Sequence, residues 1–498
     1  MKDFMQLIKK LHATQLLTFK ALYFLFLAIF KDGINALMLL GFISKLHKNR
    51  DALHYDEETL TYPTLYAKSL KLAKQLHLKY NIHSKSRVAI VAFNSSNAII
   101  SLFATSRLGA NIYMLNPNLS QPQFLKLFSR MNFDFYIYDD ELKSLFIQSK
   151  FKDISLSTYG EKNSIKENLK ESFDESKKLR YFKPSMITVL TGGTTKEAKP
   201  ASRSSFNFGF LYPFSELLLK ANLDNYRLVY IATPIYHGFG LSAVFIATVL
   251  GAKMYVDKRF EVHTMDKNIL NDKIEVVIGV PLMINRLMKQ DKHFESLKVI
   301  VSGGAMLYPT LATHILETHG EIIYNLYGTS EAGFCIMATP KMLKLHPNSI
   351  GKEIRGVKLR LADDGELEVK TSWSIDLDNW IKTGDRAIID DDGMIFLKGR
   401  VDDMIVSGGE NVYPLELETI LLTHEDILEV GVIGVKDEEF GERLKAIVVK
   451  KAGSNLDKEN LKQWIKEHGA RHLVPSIIEF REKLDYTHLG KLDKVKLK

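Results

Sequence analysis

The stretch LTGGTTKEAKPASR runs from Leu190 to Arg203 and follows the apolar run MITVL, which is typical of a buried strand. It combines two glycines with hydroxyl and lysine side chains. Gly-rich loops after strands bind phosphate because glycine lets backbone N–H groups approach an anion closely. The stretch therefore predicts a phosphate-binding loop, with a solvated polar turn as the alternative.

This loop does not satisfy the P-loop pattern G-x-x-x-x-G-K-[ST]. Counting from Gly193, Ala198 stands where the second glycine is required, and Pro200 stands where the Mg²⁺-binding hydroxyl is required. A kinase or GTPase of the P-loop type is therefore excluded.

The composition bounds the class of protein. A chain of 498 residues, 46% hydrophobic and 25% charged, is typical of a soluble globular protein with two or more domains. The net charge of +8 comes from dispersed lysines, so we predict no nucleic-acid partner. The single cysteine, Cys335, excludes an internal disulfide framework and a Cys-based zinc site, and it fits a cytoplasmic location.

Residues 1–50 are strongly apolar, but Lys20 and the Lys31-Asp32-Gly33 break keep each apolar run shorter than a membrane span. Two hypotheses follow. The segment lies in an anionic membrane interface as a peripheral contact on the inner face, or it forms a helical hairpin packed on the protein's own surface. Under the first, a chain starting near Asp51 stays folded; under the second, that chain aggregates.

The rest of the chain alternates helical and strand patterns, as an α/β sheet requires. Short β-rich runs such as RVAIVAF, FDFYIYD and LKVIVSGG are separated by amphipathic stretches. Near Arg400 the pattern changes to a smaller unit with the strand-like runs EVGVIGVKD and KAIVVKK. We predict an N-terminal segment over residues 1–50, a large domain over 51–399 and a small domain over 400–498.

Seven motifs follow in chain order: LTGGTTKEAKP, TPIYHGFG, VSGGAM, YNLYGTSEAG, WIKTGD, GRVDDMIVSGGENVYPLELE and THLGKLDK. Their order and spacing resemble the adenylate-forming (AMP-binding) superfamily, which includes acyl-CoA synthetases, luciferases and peptide-synthetase adenylation domains. The resemblance runs from about residue 50 to the C-terminus. It implies an α/β fold, with a large N-terminal domain of mixed α/β sheets and a smaller mobile C-terminal α+β domain.

The resemblance also implies a binding site for ATP. The residues that would hold its phosphates are Thr191, Gly192, Gly193, Thr194, Thr195 and Lys199. Tyr327 would lie against its adenine, beside the backbone of Gly303, Gly304 and Ala305. Asn325 and Gly328 are further implied cofactor-binding residues. Lys196 and Pro200 replace usual glycines of the family, which puts the flexibility of the phosphate loop in question.

Charged side chains complete the implied site. Glu331 resembles the Mg²⁺ ligand, and Ser330 supplies a hydroxyl near the α-phosphate. Asp385 resembles the carboxylate that accepts both ribose hydroxyls, with Arg400 beside the ribose or phosphate. Lys491 matches the C-terminal catalytic lysine, which stabilises the negative charge that develops during adenylation. A solvated lysine in a basic tail is the alternative for Lys491.

A second group of residues is implied in the thiol step. Asp402 sits at the usual hinge between the domains, and rotation there would move Lys491 away from the site. The same rotation would bring Ser407, Gly408 and Gly409 to the site with CoA as co-substrate.

The acid substrate is predicted from TPIYHGFG. His237 stands where amino-acid-activating relatives carry an Asp, so a plain carboxylic acid is favoured, and His237 either gates its pocket or is a packed core histidine. Phe239, Leu241 and Val244 line an acyl tunnel or simply pack in the core. We predict that a medium- or long-chain fatty acid is converted to acyl-CoA.

Four alternatives remain open. Two are an acyl-[acyl-carrier-protein] ligase and an aryl acid–CoA ligase. The others are a luciferase-like oxygenase and a non-catalytic nucleotide-binding relative, the last opposed by the joint presence of Lys199, Glu331, Asp385, Arg400 and Lys491.

Overall fold

The structure is a computed structural model that describes residues 2–147, 150–171, 179, 183–191, 199–205, 207–290, 292–407, 410–487 and 490–497. The chain divides into two compact units. The first comprises Met1–Gly279, Phe294–Ile300 and Trp373–Ile375, and the second comprises Val280–His293, Val301–Ser372 and Asp376–Lys498. The domain boundaries expected after residues 50 and 399 stay predictions.

The first unit alternates helices and strands. Its helices are α1 (Lys2–Ala13), α2 (Phe19–Asp32), α3 (Ala36–Leu46), α4 (Tyr62–Tyr80), α5 (Ser96–Arg107), α6 (Gln121–Met131), α7 (Lys143–Ile147), α8 (Ile165–Lys170), α9 (Leu211–Lys220), α10 (Gly238–Leu250) and α11 (Val262–Asp272). Its strands are β1 (Asp51–Tyr55), β2 (Glu58–Thr61), β3 (Arg87–Val91), β4 (Asn111–Met114), β5 (Phe135–Tyr138), β6 (Ser155–Ser157), β7 (Met186–Thr191), β8 (Lys199–Ser204), β9 (Leu228–Ile231), β10 (Lys253–Tyr255) and β11 (Val276–Gly279).

These strands form two largely parallel arrays. One has the order β6-β5-β3-β4-β7-β8 and is parallel except for the antiparallel pair β7–β8. The other has the order β11-β9-β10-β1-β2 and is parallel except for β1–β2. Strands covered on both faces read as continuous apolar runs, as VAIV in β3 and FYIY in β5 do. The strand predictions made from these runs are confirmed.

Helix α4 shows how local sequence sets an element's ends. The Thr61 side chain accepts a hydrogen bond from the backbone of the first turn, and Pro63 occupies that turn, where its missing N–H costs nothing. Asn81 ends the helix in the left-handed conformation. Leu72 and Leu76, four residues apart, bury the same face of α4. The amphipathic prediction for this stretch is confirmed.

The three N-terminal helices differ in burial. Leu37, Leu40 and Ile43 of α3 are fully buried, so α3 belongs to the core of the first unit. The burial of α3 favours the hypothesis in which a chain starting near Asp51 aggregates, because removing α3 would uncover that core, and the outcome for such a chain stays a prediction. Within the described part of the chain, no helix has the length and apolar character needed to cross a membrane.

The second unit contains five helices and most of the antiparallel strands. Its helices are α12 (Pro281–Met288), α13 (Pro309–His319), α14 (Pro340–Leu345), α15 (Pro414–Leu421) and α16 (Lys458–His468). Strand β12 (Val299–Gly303) lies where the chain passes into this unit. The remaining strands are β13 (Ile323–Thr329), β14 (Gly333–Ala338), β15 (Lys352–Glu353), β16 (Val357–Leu361), β17 (Glu366–Thr371), β18 (Ile381–Ile389), β19 (Ile395–Arg400), β20 (Ile405–Ser407), β21 (Glu410–Val412), β22 (Ile427–Asp437), β23 (Gly441–Lys450) and β24 (Ile477–Phe480).

Three antiparallel groups organise these strands. Strands β13, β14 and β15 pair in order, as do β16, β17, β18 and β19. Strands β20 to β24 form a separate sheet with its own apolar core, which includes Val412, Leu417, Val432 and Leu461. The last group with α15 and α16 is the small α+β part that the sequence predicts after Arg400.

Candidate active site

An ion pair joins Asp385, in the middle of β18, to Arg400 at the end of β19, where the register places the two residues opposite each other. Arg400 Nη1 donates to Asp385 Oδ1 at 3.2 Å and to the Thr383 carbonyl at 3.1 Å. Gly384 permits this close packing: its φ is +74°, and an added Cβ would lie 2.7 Å from the guanidinium of Arg400. The TGD motif is thus required by the position of Arg400.

Tyr327 of β13 binds the other oxygen of the same carboxylate. Its hydroxyl donates to Asp385 Oδ2 at 2.6 Å. Desolvation, and then the charge of Asp385, raises the pKa of Tyr327 well above its ordinary value, so the hydroxyl stays a donor. Desolvation lowers the pKa of Arg400, but attraction to Asp385 outweighs it and the pKa is raised. Each Asp385 oxygen keeps a further lone pair for a ligand.

Lys491 lies close enough to Asp385 and Arg400 for the charges of these two side chains to act on it. Desolvation lowers the pKa of Lys491, repulsion from Arg400 lowers it further, and attraction to Asp385 opposes both. The Lys491 side chain is solvent-exposed, so water screens these effects. Three of the predicted charged residues, Asp385, Arg400 and Lys491, are therefore brought together, along with Tyr327.

A tight turn fixes the backbone of Lys491. The Thr487 N–H donates to the Lys491 carbonyl at 2.7 Å, and the Gly490 N–H donates to the Thr487 carbonyl at 2.8 Å. Gly490 has φ of +69°, and a Cβ there would lie 2.7 Å from Val280 Cγ2. Only glycine fits this turn without strain.

Ser330 and Glu331 lie in the connection between β13 and β14. The Ala332 N–H donates to Thr329 Oγ1 at 3.0 Å, which closes this connection. A Cβ on Gly328 would lie 2.1 Å from the Gly333 carbonyl oxygen, so Gly328 is needed for the close approach of the two strands. Among the described residues no group of three or more metal-ligating side chains occurs. A single carboxylate beside substrate phosphates is a donor set that Mg²⁺ accepts.

Two buried polar atoms lie on the strands that carry the predicted adenine site. Asn325 Oδ1 of β13 and Ser302 Oγ of β12 have no hydrogen-bond partner among the described residues. A buried polar atom without a partner is costly, and a ligand donor would satisfy it. Gly303 ends β12, and Gly304 follows with φ of +78°. These residues fit an adenine that offers its amine.

Part of the predicted site lies outside the described residues. Strands β7 and β8 pair as far as Thr191 and Lys199, so the Gly-rich stretch connects the two strands of a hairpin. Lys199 is exposed at the start of β8. Of the phosphate-binding residues predicted from the sequence, Gly192, Gly193, Thr194 and Thr195 lie outside the described part, as do Gly408 and Gly409 of the predicted thiol-step segment.

The predicted hinge residue is exposed. Asp402 lies in a short 3-10 helix, Val401–Asp403, directly after β19. The next residue, Asp403, forms an ion pair with Lys494 at 2.8 Å. Ser407 ends β20, where it pairs with Glu410 of β21 rather than joining the cluster around Asp385.

His237 belongs to the first unit, at the N-terminus of α10. Its ring lies against Tyr236, with ring centroids 4.5 Å apart. The Tyr236 hydroxyl accepts a hydrogen bond from Asn118 Nδ2 at 3.2 Å. Leu241 and Val244 of α10 are buried, as core packing requires. Around His237, the contacts described thus include a ring contact with Tyr236 and the apolar packing of α10.

Sequence reasoning missed a pair formed by the half-buried Tyr308 and the buried Glu418. The Tyr308 hydroxyl donates to Glu418 Oε2 at 3.1 Å, and the Val432 N–H donates to Glu418 Oε1 at 2.9 Å. Burial raises the pKa of Glu418, although Lys494 and these bonds oppose the shift. The pair joins the start of α13 to α15 across 110 residues of sequence, so no local pattern marks it.

The mixed α/β fold with its small α+β part is the architecture that the seven motifs imply. Residues 44–373 match the family model of AMP-binding enzymes, and residues 416–491 match the model of the AMP-binding enzyme C-terminal domain. The chain therefore belongs to the AMP-binding enzyme family, a group of adenylate-forming enzymes that use ATP. The resemblance and the α/β fold class predicted from the motifs are both confirmed.

Named relatives cover nearly the whole chain. A 2-succinylbenzoate–CoA ligase from Geobacillus is 27% identical over 93% of this chain and 96% of its own length. The structure of o-succinylbenzoate CoA synthetase from Bacillus subtilis with its acyl-adenylate has a TM-score of 0.79 at 25% identity, covering 92% of this chain and 97% of that one. The amide bond synthetase McbA from Marinactinospora thermotolerans has a TM-score of 0.81 at 22% identity, covering 93% and 99%.

Proposed function

We propose that this protein is an aryl acid–CoA ligase that forms an acyl-adenylate from ATP and then transfers the acyl group to CoA. The observation that carries the adenylation step is the cluster in which Tyr327 and Arg400 bind Asp385 while Lys491 lies beside them. The choice of an aryl acid rests on the 2-succinylbenzoate–CoA ligases among its relatives. They favour this alternative over the fatty acid predicted from the sequence.

In the first step, a carboxylate oxygen of the acid forms a bond to the α-phosphorus of ATP, and the bond to the leaving pyrophosphate breaks. Asp385 accepts the ribose hydroxyls with its remaining lone pairs and so fixes the nucleoside. Lys491 stabilises the negative charge that develops on the phosphate oxygens. Glu331 would hold Mg²⁺ together with the phosphates, and the bound ion would supply further positive charge there.

In the second step, the CoA sulfur forms a bond to the acyl carbon and AMP leaves, with the thiol proton passing to solvent. We propose that rotation at Asp402 separates the two steps by withdrawing Lys491. The exposed position of Asp402, directly after β19, is compatible with a hinge. Asp402→Pro should slow thioester formation more than adenylation, because proline restricts φ.

A panel assay of pyrophosphate release tests this function. The acids are 2-succinylbenzoate, benzoate, decanoate and palmitate, each assayed with CoA, with acyl carrier protein and without a thiol. We expect pyrophosphate release with an aryl acid, and formation of a thioester from that acid only when CoA is present. Faster turnover of decanoate and palmitate would favour the fatty acid substrate predicted from the sequence. Thioester formation only with acyl carrier protein would identify an acyl-[acyl-carrier-protein] ligase. No release with any acid would favour a non-catalytic relative.

A further inference from the structure

Helix α2 faces the protein with its small residues and faces solvent with its large ones. The residues that it buries are Ala21, Ala28 and Asp32. Its exposed large apolar residues are Phe19, Leu22, Tyr23, Phe26, Ile29 and Phe30, with Phe26 at 65% and Phe30 at 70% exposure. This is the reverse of an ordinary surface helix, whose apolar stripe faces the core. We call this set of six residues the α2 apolar face.

Polar contacts at the C-terminal end of α2 fix this orientation, and a further ion pair anchors the preceding helix. At the C-terminal end, Asp32 is buried, pairs with Arg107 at 3.6 Å and accepts a hydrogen bond from the Tyr66 hydroxyl at 2.9 Å. Before α2, Lys10 of α1 pairs with Asp224 at 2.9 Å. Rotating α2 to bury its phenylalanines would break the buried Asp32 pair and leave charges without partners. The apolar face is therefore held toward solvent.

The exposed charged side chains of α2 itself, Lys20 and Lys31, are both positive. Across residues 4–34 the sequence contains a single carboxylate, Asp32, which is buried. Lys9, Lys20 and Lys31 are exposed on the same two helices. The surface thus combines large apolar side chains, several of them aromatic, with uncompensated positive charge.

We propose that the α2 apolar face and the flanking lysines bind the interface of an anionic lipid bilayer, with α2 lying in the plane of the interface. Aromatic and aliphatic side chains enter the boundary between headgroups and acyl chains, while lysines attract anionic headgroups. At 14 residues, α2 is about 21 Å long, too short to span the hydrocarbon core of about 30 Å. This inference goes beyond the proposed catalytic function and does not depend on it.

A second copy of the chain fits the face less well than a bilayer does. A symmetric dimer would place the same patch against itself, so Lys20 and Lys31 would meet their own copies without carboxylates nearby. Anionic headgroups supply the missing negative charge. Charge complementarity therefore selects the lipid surface.

Co-sedimentation of the intact chain with vesicles tests the proposal. We expect binding to phosphatidylcholine vesicles that contain phosphatidylglycerol, and at least tenfold weaker binding to phosphatidylcholine alone. Phe26→Ser/Phe30→Ser should weaken binding to the anionic vesicles at least tenfold. The matched control is Leu345→Ser, which removes an exposed apolar side chain from α14 and should leave binding unchanged.

The lysines are tested separately. Lys20→Gln/Lys31→Gln should weaken binding to anionic vesicles by about tenfold at low salt, and this difference should shrink at high salt because the attraction is screened. The control Lys267→Gln/Lys436→Gln removes the same charge elsewhere and should have less effect. Pyrophosphate release with a soluble acid, or the far-UV circular dichroism of each variant, shows that it remains folded.

Three results would overturn the proposal. The first is that the intact chain does not sediment with anionic vesicles. The second is that the Phe26→Ser/Phe30→Ser variant sediments with them as well as the Leu345→Ser variant does. The third is a dimer in sedimentation equilibrium that this double variant abolishes, without any vesicle binding by the intact chain.

Discussion

The cluster around Asp385 and the first turn of α10 are held by different forces. Around Asp385, Tyr327 and Arg400 reach one carboxylate through directed hydrogen bonds, and each bond fixes an angle as well as a distance. At α10, His237 rests on the ring of Tyr236, and the helix behind it packs through apolar side chains. A charged network tolerates little change, whereas apolar packing adapts to volume-conserving substitutions. We infer that the adenylation chemistry is constrained more tightly than the choice of acid.

The largest expected effect comes from Lys491→Ala. Adenylate formation should fall about 10²–10³-fold, because the cation that stabilises the transition state is removed. Thioester formation from supplied acyl-adenylate should be nearly unchanged, since the lysine acts in only one step. Single-turnover measurements of the two half-reactions check this, with the exposed Lys483→Ala as control. Equal loss in both steps would remove Lys491 from its assigned role.

Asp385→Asn is expected to rank second. The amide keeps the size of the side chain but loses the charge that holds Arg400 and one oxygen that binds ribose, so KM for ATP should rise about 10–100-fold. Tyr327→Phe removes only the hydroxyl donor and should raise this KM less. Steady-state kinetics at saturating acid measure both variants. Unchanged KM for ATP in Asp385→Asn would mean that nucleotide is bound elsewhere.

His237→Ala tests the first turn of α10, the region compared above with the cluster around Asp385. It should change the ratio of kcat/KM between aryl and aliphatic acids by about tenfold or less, because pocket shape contributes modestly to discrimination. KM for ATP should stay within about twofold of the parent, because no contact with the nucleotide is assigned to His237. A rise in KM for ATP without any change in the acid preference would show that His237 has no part in acid recognition.

The smallest effect is expected from the pH dependence of Glu418→Gln. Burial raises the pKa of Glu418 above its unfolded value, so the unfolded chain releases the proton first as pH rises. The contribution of Glu418 to stability is therefore complete below the unfolded pKa and is lost at higher pH. The Tm of Glu418→Gln relative to the parent should rise from about pH 5 to pH 8, by the equivalent of about 1 kcal/mol in the free energy of unfolding.

The matched control is Glu416→Gln, on the more accessible side of α15. Its Tm difference from the parent should be nearly independent of pH. If Glu418→Gln behaves in the same way, Glu418 is ionised in the folded protein and its burial has no consequence for stability.

The local geometry around Asp385 and Lys491 could be anticipated from the sequence, because short motifs carry their own backbone requirements, while the nucleotide-binding roles of these residues stay predictions. TGD needs Gly384 for the approach of Arg400, and LGK needs Gly490 for the turn before Lys491, so motif and structure agree at these positions. The Tyr308–Glu418 pair could not be predicted, since it depends on two elements far apart in sequence.

The outward orientation of the apolar face of α2 could not be predicted from the sequence either. Apolar content predicts that a helix has a face to cover, but α2 and α3 are both apolar and only α3 is buried in the core. The buried Asp32–Arg107 pair decides which face of α2 turns outward, and it joins residues 75 positions apart. Long-range charge pairing of this kind leaves no periodic signal.

The sole cysteine has a practical consequence for observing motion. Cys335 is buried on β14, and a buried thiol reacts slowly with alkylating reagents. A pair of cysteines introduced at the exposed positions Leu345 and Ile477 would therefore take fluorescent labels selectively in the otherwise native chain. Energy transfer between the two dyes would then follow the proposed rotation at Asp402 during turnover, molecule by molecule.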